Sequence, residues 1–255
     1  GHVLVTDSVY SPTRKFCDAA LRGFGVETTY FCNHEENFEH LLRPNTQAVY
    51  VESPGSLTFE MADLPAIAQA ARARGIPVLA DNTWATPLGF RPFEKGVNVS
   101  IHAATKYISG HSDVLMGVLV TDEAHFGAVK KAAALLGHHA SPDDVALAAR
   151  GLRTMAVRLE RHTASALALC QWLERQGAVA RVLFPPLPGG RGHALWKRDF
   201  LGGCGLFSIV LQPEISLEQA KRFVDGLRLF GIGYSWGGFE SLAVLMDVRA
   251  VRSAA

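Results

Sequence analysis

The sequence has little excess charge and no long apolar run. Among its 255 residues, 25 Lys and Arg face 24 Asp and Glu, which leaves a formal net charge of +1. Such a chain has no overall field that attracts nucleic acid or an anionic membrane surface. No apolar stretch approaches the roughly 18 residues of a membrane-spanning helix, and the opening "GHVLVTDSVY" lacks the basic start and long apolar middle of a signal peptide. We therefore predict a soluble protein whose partner is a small molecule or another copy of the chain.

Cysteine is also scarce, and its spacing argues against two kinds of site. The four cysteines are scattered, with no CxxC pair, which favours neither a zinc site nor a disulfide framework. We expect reduced thiols in a cytoplasmic protein. Neither GxGxxG nor a P-loop occurs. His138 and His139 are adjacent but lack a third ligand at metal spacing, so no metal site is predicted.

The two ends of the chain lack the features of complete termini. The sequence has no initiating Met, opens directly in the strand-like "HVLV", and stops at "RAVRSAA" without a capped final element. We therefore expect a piece of a longer protein.

The first half of the chain alternates strand-like and helix-like segments. Asp63 and Ser11 are candidate helix caps, the latter just before Pro12. Such alternation predicts βαβ units on a mostly parallel sheet, whose buried strands read as continuous apolar runs. The predicted strands are "HVLVT", "TTYF", "QAVYVESP", "IPVLAD", "VNVSIHAAT" and "MGVLVTD".

The second half of the chain changes character. Residues 122–177 read as helices, and beyond them Pro and Gly interrupt shorter apolar runs such as "GLFSIVL" and "LFGIGYS". We predict an α/β domain over residues 1–150, a linking helix over 151–177, and a smaller α+β domain over 178–255.

Two polar residues follow predicted strands in a way that suggests a site. Asp81 ends "IPVLAD", and Lys106 follows "VNVSIHAAT" 25 residues later, the length of one βαβ step. Ligands of open parallel sheets bind outside the carboxyl ends of the strands, so both side chains are candidates to face one crevice. The alternative is ordinary: a strand-end Asp is often a turn or cap residue, and a lone loop Lys is usually solvated.

The same residues fit one cofactor. Burial lowers the pKa of a lysine and makes Schiff-base chemistry possible. Pyridoxal phosphate needs such a lysine for its aldehyde, a carboxylate for its ring nitrogen and donors for its phosphate. Lys106, Asp81 and the Thr105 hydroxyl can fill these roles. His102 and His111 flank the lysine, but a strand histidine with a satisfied ring is the simpler reading of His102.

Several longer blocks carry a family resemblance. The sequence resembles the cystathionine lyase and synthase family of transsulfuration enzymes, which are pyridoxal phosphate proteins of fold type I, related in architecture to aspartate aminotransferase. The resemblance runs in order along nearly the whole chain. The blocks are "VLVTDSVYSPTRKFC", "YVESPGS", "LADNTWATP", "SIHAATKYISGHSD", "RGLRTMAVRLERH", "GHALWKRDF", "GLFSIVL" and "YSWGGFESL".

The resemblance implies a role for each matching residue. Lys106 matches the lysine that binds the cofactor aldehyde and later moves the substrate α proton, and Asp81 matches the partner of the pyridine nitrogen. Tyr10 matches the tyrosine stacked on the cofactor ring, and Thr105 matches a phosphate ligand. Ser235 and Trp236 match residues near the lysine and the substrate carboxylate; the alternative for Trp236 is an aromatic that fills the gap beside two glycines.

The resemblance also implies an activity. A tryptophan in "YSWGG" is similar to the β-lyases of the family, whereas its γ-lyases and γ-synthases usually read "SLGG". The implied reaction is a β-elimination on a thioether amino acid, as in methionine biosynthesis, by an oligomer built as a dimer of dimers. A γ-elimination or γ-replacement enzyme and a non-catalytic module remain alternatives.

Part of the family's binding site has no counterpart in the sequence. The phosphate cup of the family falls upstream of Gly1, and its substrate-carboxylate arginine falls beyond Ala255. Arg249 and Arg252 lie near the end of the chain, but their context does not match that arginine.

Overall fold

The first half of the chain builds one six-stranded sheet. The computed structural model describes residues 1–35, 37–248 and 252–253. The spatial strand order is β2-β1-β3-β4-β5-β6, with the first five strands parallel and β6 antiparallel to β5. The strands are β1 His2–Thr6, β2 Glu27–Phe31, β3 Thr46–Glu52, β4 Val78–Asp81, β5 Val99–Ala103 and β6 Gly117–Thr121.

The prediction of a buried parallel strand is wrong for β6. It lies at the sheet edge, runs antiparallel, and exposes three of its five residues. The reason lies in the connection: residues 104–116 contain no helix, and a parallel return would need a longer crossover, usually a helical one. The loop that carries Lys106 is therefore a direct link between two neighbouring strands.

Helices cover the sheet and fill the middle of the chain. They are α1 Ser11–Lys15, α2 Leu64–Arg72, α3 Thr86–Gly89, α4 Glu123–Leu135, α5 Pro142–Leu152, α6 Met155–Leu173, α7 His193–Asp199 and α8 Leu217–Asp225. The Asp63 cap is confirmed, because its carboxylate accepts the Ala66 N–H at 3.2 Å. The Ser11 cap is wrong: Tyr10 is the capping residue, and Ser11 is already inside α1.

One part of the apolar core is formed by the sheet and α2. Val49 and Val78 on the sheet and Ile67 and Ala71 on α2 are all buried in one apolar cluster. Apolar residues spaced three to four apart place one face of α2 on the strands, which explains the amphipathic pattern of "DLPAIAQAARARG". This packing fixes the strands whose carboxyl ends form the site.

The last part of the chain contains two small sheets. Strands β7 Val179–Leu183 and β8 Ser208–Leu211 pair antiparallel, and β9 Gly231–Ile232 and β10 Leu242–Ala243 pair parallel. The segment "GHALWKRDF" contains helix α7, in which Trp196 is partly buried. The division of the chain into domains stays a prediction. In the part of the chain that the structure describes, no helix is long and apolar enough to cross a membrane.

Candidate active site

Asp81 and Lys106 lie at the same edge of the sheet. Asp81 is the last residue of β4, and Lys106 follows the end of β5 by three residues. The two strands are parallel neighbours, so their carboxyl ends meet at one edge. The Thr83 hydroxyl accepts the Ala103 N–H at 2.9 Å and ties the two strand ends together. The structure therefore places the predicted acid and amine on adjacent strand tips.

The Lys106 amine is held by a segment more than a hundred residues away in sequence. Its Nζ donates to the Ser235 hydroxyl at 2.9 Å and lies 5.1 Å from the centroid of a Trp236 ring, within cation–π range. Partial burial lowers the pKa of Lys106, because desolvation disfavours the charged amine. Three of the predicted site residues thus meet at one nitrogen.

The turn after Trp236 fits closely against the lysine backbone. Gly237 has φ +85°, and a Cβ there would lie 2.9–3.0 Å from the Lys106 backbone carbons. Beside it, Tyr107 is buried, and its ring centroid lies 5.5 Å from that of Trp236. The Tyr107 hydroxyl accepts the Gly205 N–H at 2.8 Å. Position 237 therefore requires a glycine, because the turn after Trp236 contacts the Lys106 backbone there.

Replacement of Gly237 by alanine should displace the lysine. The added methyl group cannot fit without moving the Lys106 backbone, and the left-handed φ is strained for alanine. We expect affinity for pyridoxal phosphate, the cofactor that the sequence predicts, to fall by about 5- to 150-fold, which corresponds to a strain cost of about 1–3 kcal/mol. Fluorescence titration with pyridoxal phosphate measures this affinity. Gly127→Ala is the matched control, because a Cβ at this helix position meets open space, and unchanged binding by Gly237→Ala would contradict the prediction.

Asp81 makes two contacts of its own. Its Oδ1 accepts the Thr83 N–H at 2.9 Å, and its Oδ2 accepts the Tyr50 hydroxyl at 3.3 Å. Burial raises the pKa of Asp81 above its usual value, because water no longer solvates the carboxylate. A cationic ring nitrogen would restore the ionised form, so the site suits a protonated heterocycle.

Tyr10 and Glu52 extend the site toward β1 and β3. The Tyr10 side chain is half exposed, and its backbone N–H donates to Glu52 Oε2 at 2.7 Å. Glu52 is buried and faces Asp81 directly in the strand register. Sequence reasoning missed Glu52. The available indication was a carboxylate at the end of a predicted strand, beside the strand that ends in Asp81.

Thr105 and Arg252 form hydrogen bonds with residues other than Lys106 and Asp81. The Thr105 hydroxyl accepts the Met116 N–H at 3.0 Å and donates to the Met116 carbonyl at 3.3 Å, so a role in binding phosphate stays a prediction. Arg252 donates to the Ser56 carbonyl at 2.6 Å and to the Thr58 hydroxyl at 2.8 Å. Arg249 lies outside the described residues.

In the part of the chain that the structure describes, neither flanking histidine forms a hydrogen bond with the Lys106 amine. His102 is buried on β5, and its Nε2 lies 2.9 Å from the Ser100 hydroxyl. Burial lowers the pKa of His102 to about 4. The His111 Nδ1 lies 2.6 Å from the Ser109 carbonyl oxygen. Both rings therefore have local partners within their own strand or turn.

A known protein family matches nearly the whole chain. The sequence profile of the Cys/Met metabolism PLP-dependent enzymes matches residues 1–252. The chain belongs to this family. The resemblance carried by its sequence blocks is thereby confirmed, and so is the cofactor that the family's description names, pyridoxal phosphate.

Individual members of the Cys/Met metabolism family align with most of the chain. A relative from Rhizobium johnstonii is 54% identical over 249 residues, covering 95% of this chain and 62% of the relative. Cystathionine beta-lyase MetC of Escherichia coli K12 is 43% identical over 246 residues, covering 94% and 62%. The chain thus spans about three fifths of the length of these relatives.

A solved structure of the family confirms the predicted fold type. The crystal structure of cystathionine gamma-lyase from Lactobacillus plantarum, complexed with L-serine, superposes with a TM-score of 0.90 at 30% identity, covering 95% of this chain and 64% of the other. The mostly parallel sheet with helices is therefore the fold of this family's pyridoxal phosphate enzymes.

Proposed function

We propose that the chain carries the active-site core of a pyridoxal phosphate-dependent carbon–sulfur β-lyase, which cleaves L-cystathionine to homocysteine, pyruvate and ammonia. The observation that carries this proposal is the Lys106 amine, partly buried and held by Ser235 and Trp236 at the strand edge where Asp81 lies. The name of the Escherichia coli relative, a cystathionine beta-lyase, supports the choice of reaction.

The residues at this edge fit the cofactor. Lys106 offers an amine for the aldehyde, and Asp81 offers a carboxylate for the ring nitrogen. The half-exposed Tyr10 has an aromatic face available for stacking. Thr105 would contribute its hydroxyl to the phosphate by giving up the longer of its two bonds to Met116. When bound, pyridoxal phosphate supplies an electron-accepting ring that stabilises negative charge on the substrate α carbon.

Lys106 is proposed to move the α proton. An amine can accept a proton only in its neutral form, and partial burial lowers the pKa of Lys106 and so enlarges that neutral fraction. The Ser235 hydroxyl accepts a hydrogen bond from Nζ and fixes its position. The partly buried Trp236 covers one side of the amine and limits access of water to it. The Ser235 contact thus positions the amine, while burial lowers its pKa.

The bond changes of the proposed reaction balance with one water molecule. The α proton of the substrate moves to Nζ of Lys106, and the electron pair left on the α carbon forms a double bond to the β carbon as the bond to sulfur breaks. Sulfur leaves as a thiolate and takes the proton from Nζ to become a thiol. Water then releases the nitrogen as ammonia and leaves pyruvate. L-Cystathionine and one water therefore give homocysteine, pyruvate and ammonia.

The oxoacid product distinguishes this reaction from a γ-elimination. With L-cystathionine as substrate, we expect pyruvate to exceed 2-oxobutyrate by at least about tenfold, a difference of about 1.4 kcal/mol or more in transition-state binding. Chromatography of the derivatised oxoacids measures both products. A predominance of 2-oxobutyrate would favour the γ-lyase reaction named for the Lactobacillus plantarum structure. Release of neither oxoacid, with no cofactor uptake, would favour a non-catalytic module.

We further propose a cytoplasmic homo-oligomer, built as a dimer of dimers. Four free cysteines suit a reducing compartment. The exposed apolar side chains Leu119 and Val120 on β6 and Phe126 on α4 suit contact with another copy. Light scattering coupled to size-exclusion chromatography should give a mass of four chains, and a monomer at every concentration would overturn the assembly.

A further inference from the structure

Glu52 is a buried carboxyl group to which the proposed reaction assigns no step. It ends β3, and only 8% of the residue is exposed. A buried carboxylate is costly unless hydrogen bonds or a charge partner compensate it. The partners of its two oxygens therefore determine how the burial of Glu52 is compensated.

The two oxygens of Glu52 join two separate segments of the site. Oε2 accepts the Tyr10 N–H at 2.7 Å, and Oε1 lies 2.5 Å from the Ser56 hydroxyl. Tyr10 is the capping residue at the start of α1, and Ser56 lies in the loop after β3. The Glu52 backbone is itself fixed, because its N–H donates to the Thr6 hydroxyl at 3.0 Å. One side chain thus sets the distance between β3 and the Tyr10 segment.

The charge of Glu52 is governed by the groups that face it. Asp81 stands opposite on β4, Tyr50 lies on the same strand, and the Arg252 guanidinium acts from the C-terminal segment. Burial and the charge of Asp81 raise the pKa of Glu52 to about 8, because two carboxylates in one site do not ionise together easily. Arg252 and the two hydrogen bonds oppose this shift without cancelling it.

Glu52 accepts one hydrogen bond at each oxygen. Oε2 accepts the Tyr10 N–H, and Oε1 accepts the Ser56 O–H. A glutamine has the same shape without the charge: its oxygen can accept the Tyr10 N–H, and its amide N–H can donate to the Ser56 hydroxyl oxygen once that hydroxyl turns. The pair of variants Glu52→Gln and Glu52→Ala therefore separates the hydrogen-bond contacts from the presence of a carboxylate.

We propose that Glu52 is a positioning residue of this site, which holds the backbone of Tyr10 at the cofactor edge through its contacts with the Tyr10 N–H and the Ser56 hydroxyl. The use of pyridoxal phosphate at this site by the chain rests on the function proposed above, whereas the contact with Tyr10 does not. The proposal therefore makes one prediction with the cofactor and another without it.

The two readouts are cofactor affinity and amide hydrogen exchange. In Glu52→Ala, we expect the dissociation constant for pyridoxal phosphate to rise, and exchange of the Tyr10 amide in the cofactor-free chain to accelerate, each by at least about tenfold. In Glu52→Gln, both should stay within about threefold of the unsubstituted chain. Ile67→Ala is the stability control, since it weakens the core packing of α2 far from these contacts, and it should leave both readouts unchanged.

Each outcome bears on one of the two proposals. Unchanged Tyr10 exchange in Glu52→Ala would overturn the positioning role, and so would a glutamine variant as impaired as the alanine variant. If the unsubstituted chain binds no pyridoxal phosphate while Tyr10 exchange follows the expected pattern, the proposed function fails and the contact stands. If cofactor binding is normal but insensitive to Glu52→Ala, the function stands and the positioning role fails.

Discussion

Replacement of Lys106 by alanine is expected to lower kcat/KM for L-cystathionine by at least about 10⁴-fold, the upper range for loss of a general base. The substitution removes the amine that Ser235 and Trp236 hold at the strand edge, together with the group proposed to bind the cofactor aldehyde. Little stability should be lost, because the Lys106 side chain is only partly buried. Initial rates with saturating cofactor measure the effect.

A covalent label tests the role of Lys106 independently of turnover. Borohydride reduction in the presence of pyridoxal phosphate should leave a phosphopyridoxyl group on the peptide that contains Lys106. Mass spectrometry should find no such label in Lys106→Ala. Lys130→Ala is the matched control, because Lys130 is an exposed lysine of α4, and it should keep both label and activity. A label that persisted on another lysine, with activity intact, would show that the amine had been misassigned.

Replacement of Asp81 by asparagine should separate function from stability. Asparagine keeps the size of the side chain but cannot hold a proton on the cofactor ring nitrogen, so we expect kcat/KM to fall by about 10²–10³-fold, the range for loss of one preorganised electrostatic group. Steady-state kinetics with added pyridoxal phosphate measures this loss. Activity within a few-fold of the unsubstituted chain would argue that Asp81 does not face the ring nitrogen.

The same substitution should stabilise the cofactor-free chain at alkaline pH. Because burial raises the pKa of Asp81 in the folded state, the folded chain holds a proton there more tightly than the unfolded chain, and stability falls as pH rises through the folded pKa. The melting temperature of Asp81→Asn relative to the unsubstituted chain should therefore be higher at about pH 8 than at about pH 4. Asp63→Asn should show the opposite sign, since Arg198 holds the pKa of that cap residue below its usual value.

The positions of two site candidates could be predicted where one strand end determined the placement of the residue. Asp81 and Lys106 could be located from two apolar runs, because parallel strands bring their carboxyl ends to one edge whatever their side chains contact. The convergence of Ser235 and Trp236 on Lys106 depended on the family resemblance, since no local pattern relates residues 129 positions apart.

Features that depend on neighbouring strands could not be read from the chain. The run "MGVLVTD" looks like its buried neighbours, yet β6 lies antiparallel at the edge because its connection holds no helix. Glu52 resembles any strand-end carboxylate until the register places it opposite Asp81. The Thr105 hydroxyl bonds to the Met116 backbone, a pairing set by the shape of the loop.

The contact between Lys106 and Ser235 has a consequence for the nascent chain. Domains usually fold in order as they leave the ribosome, so the sheet can form while the segment that carries Ser235, 129 residues further on, is still unmade. During that interval the amine has neither its hydroxyl partner nor its indole neighbour. The amine proposed to be reactive therefore reaches its final surroundings late in biosynthesis, after the turn that contains Ser235 has packed against the finished sheet.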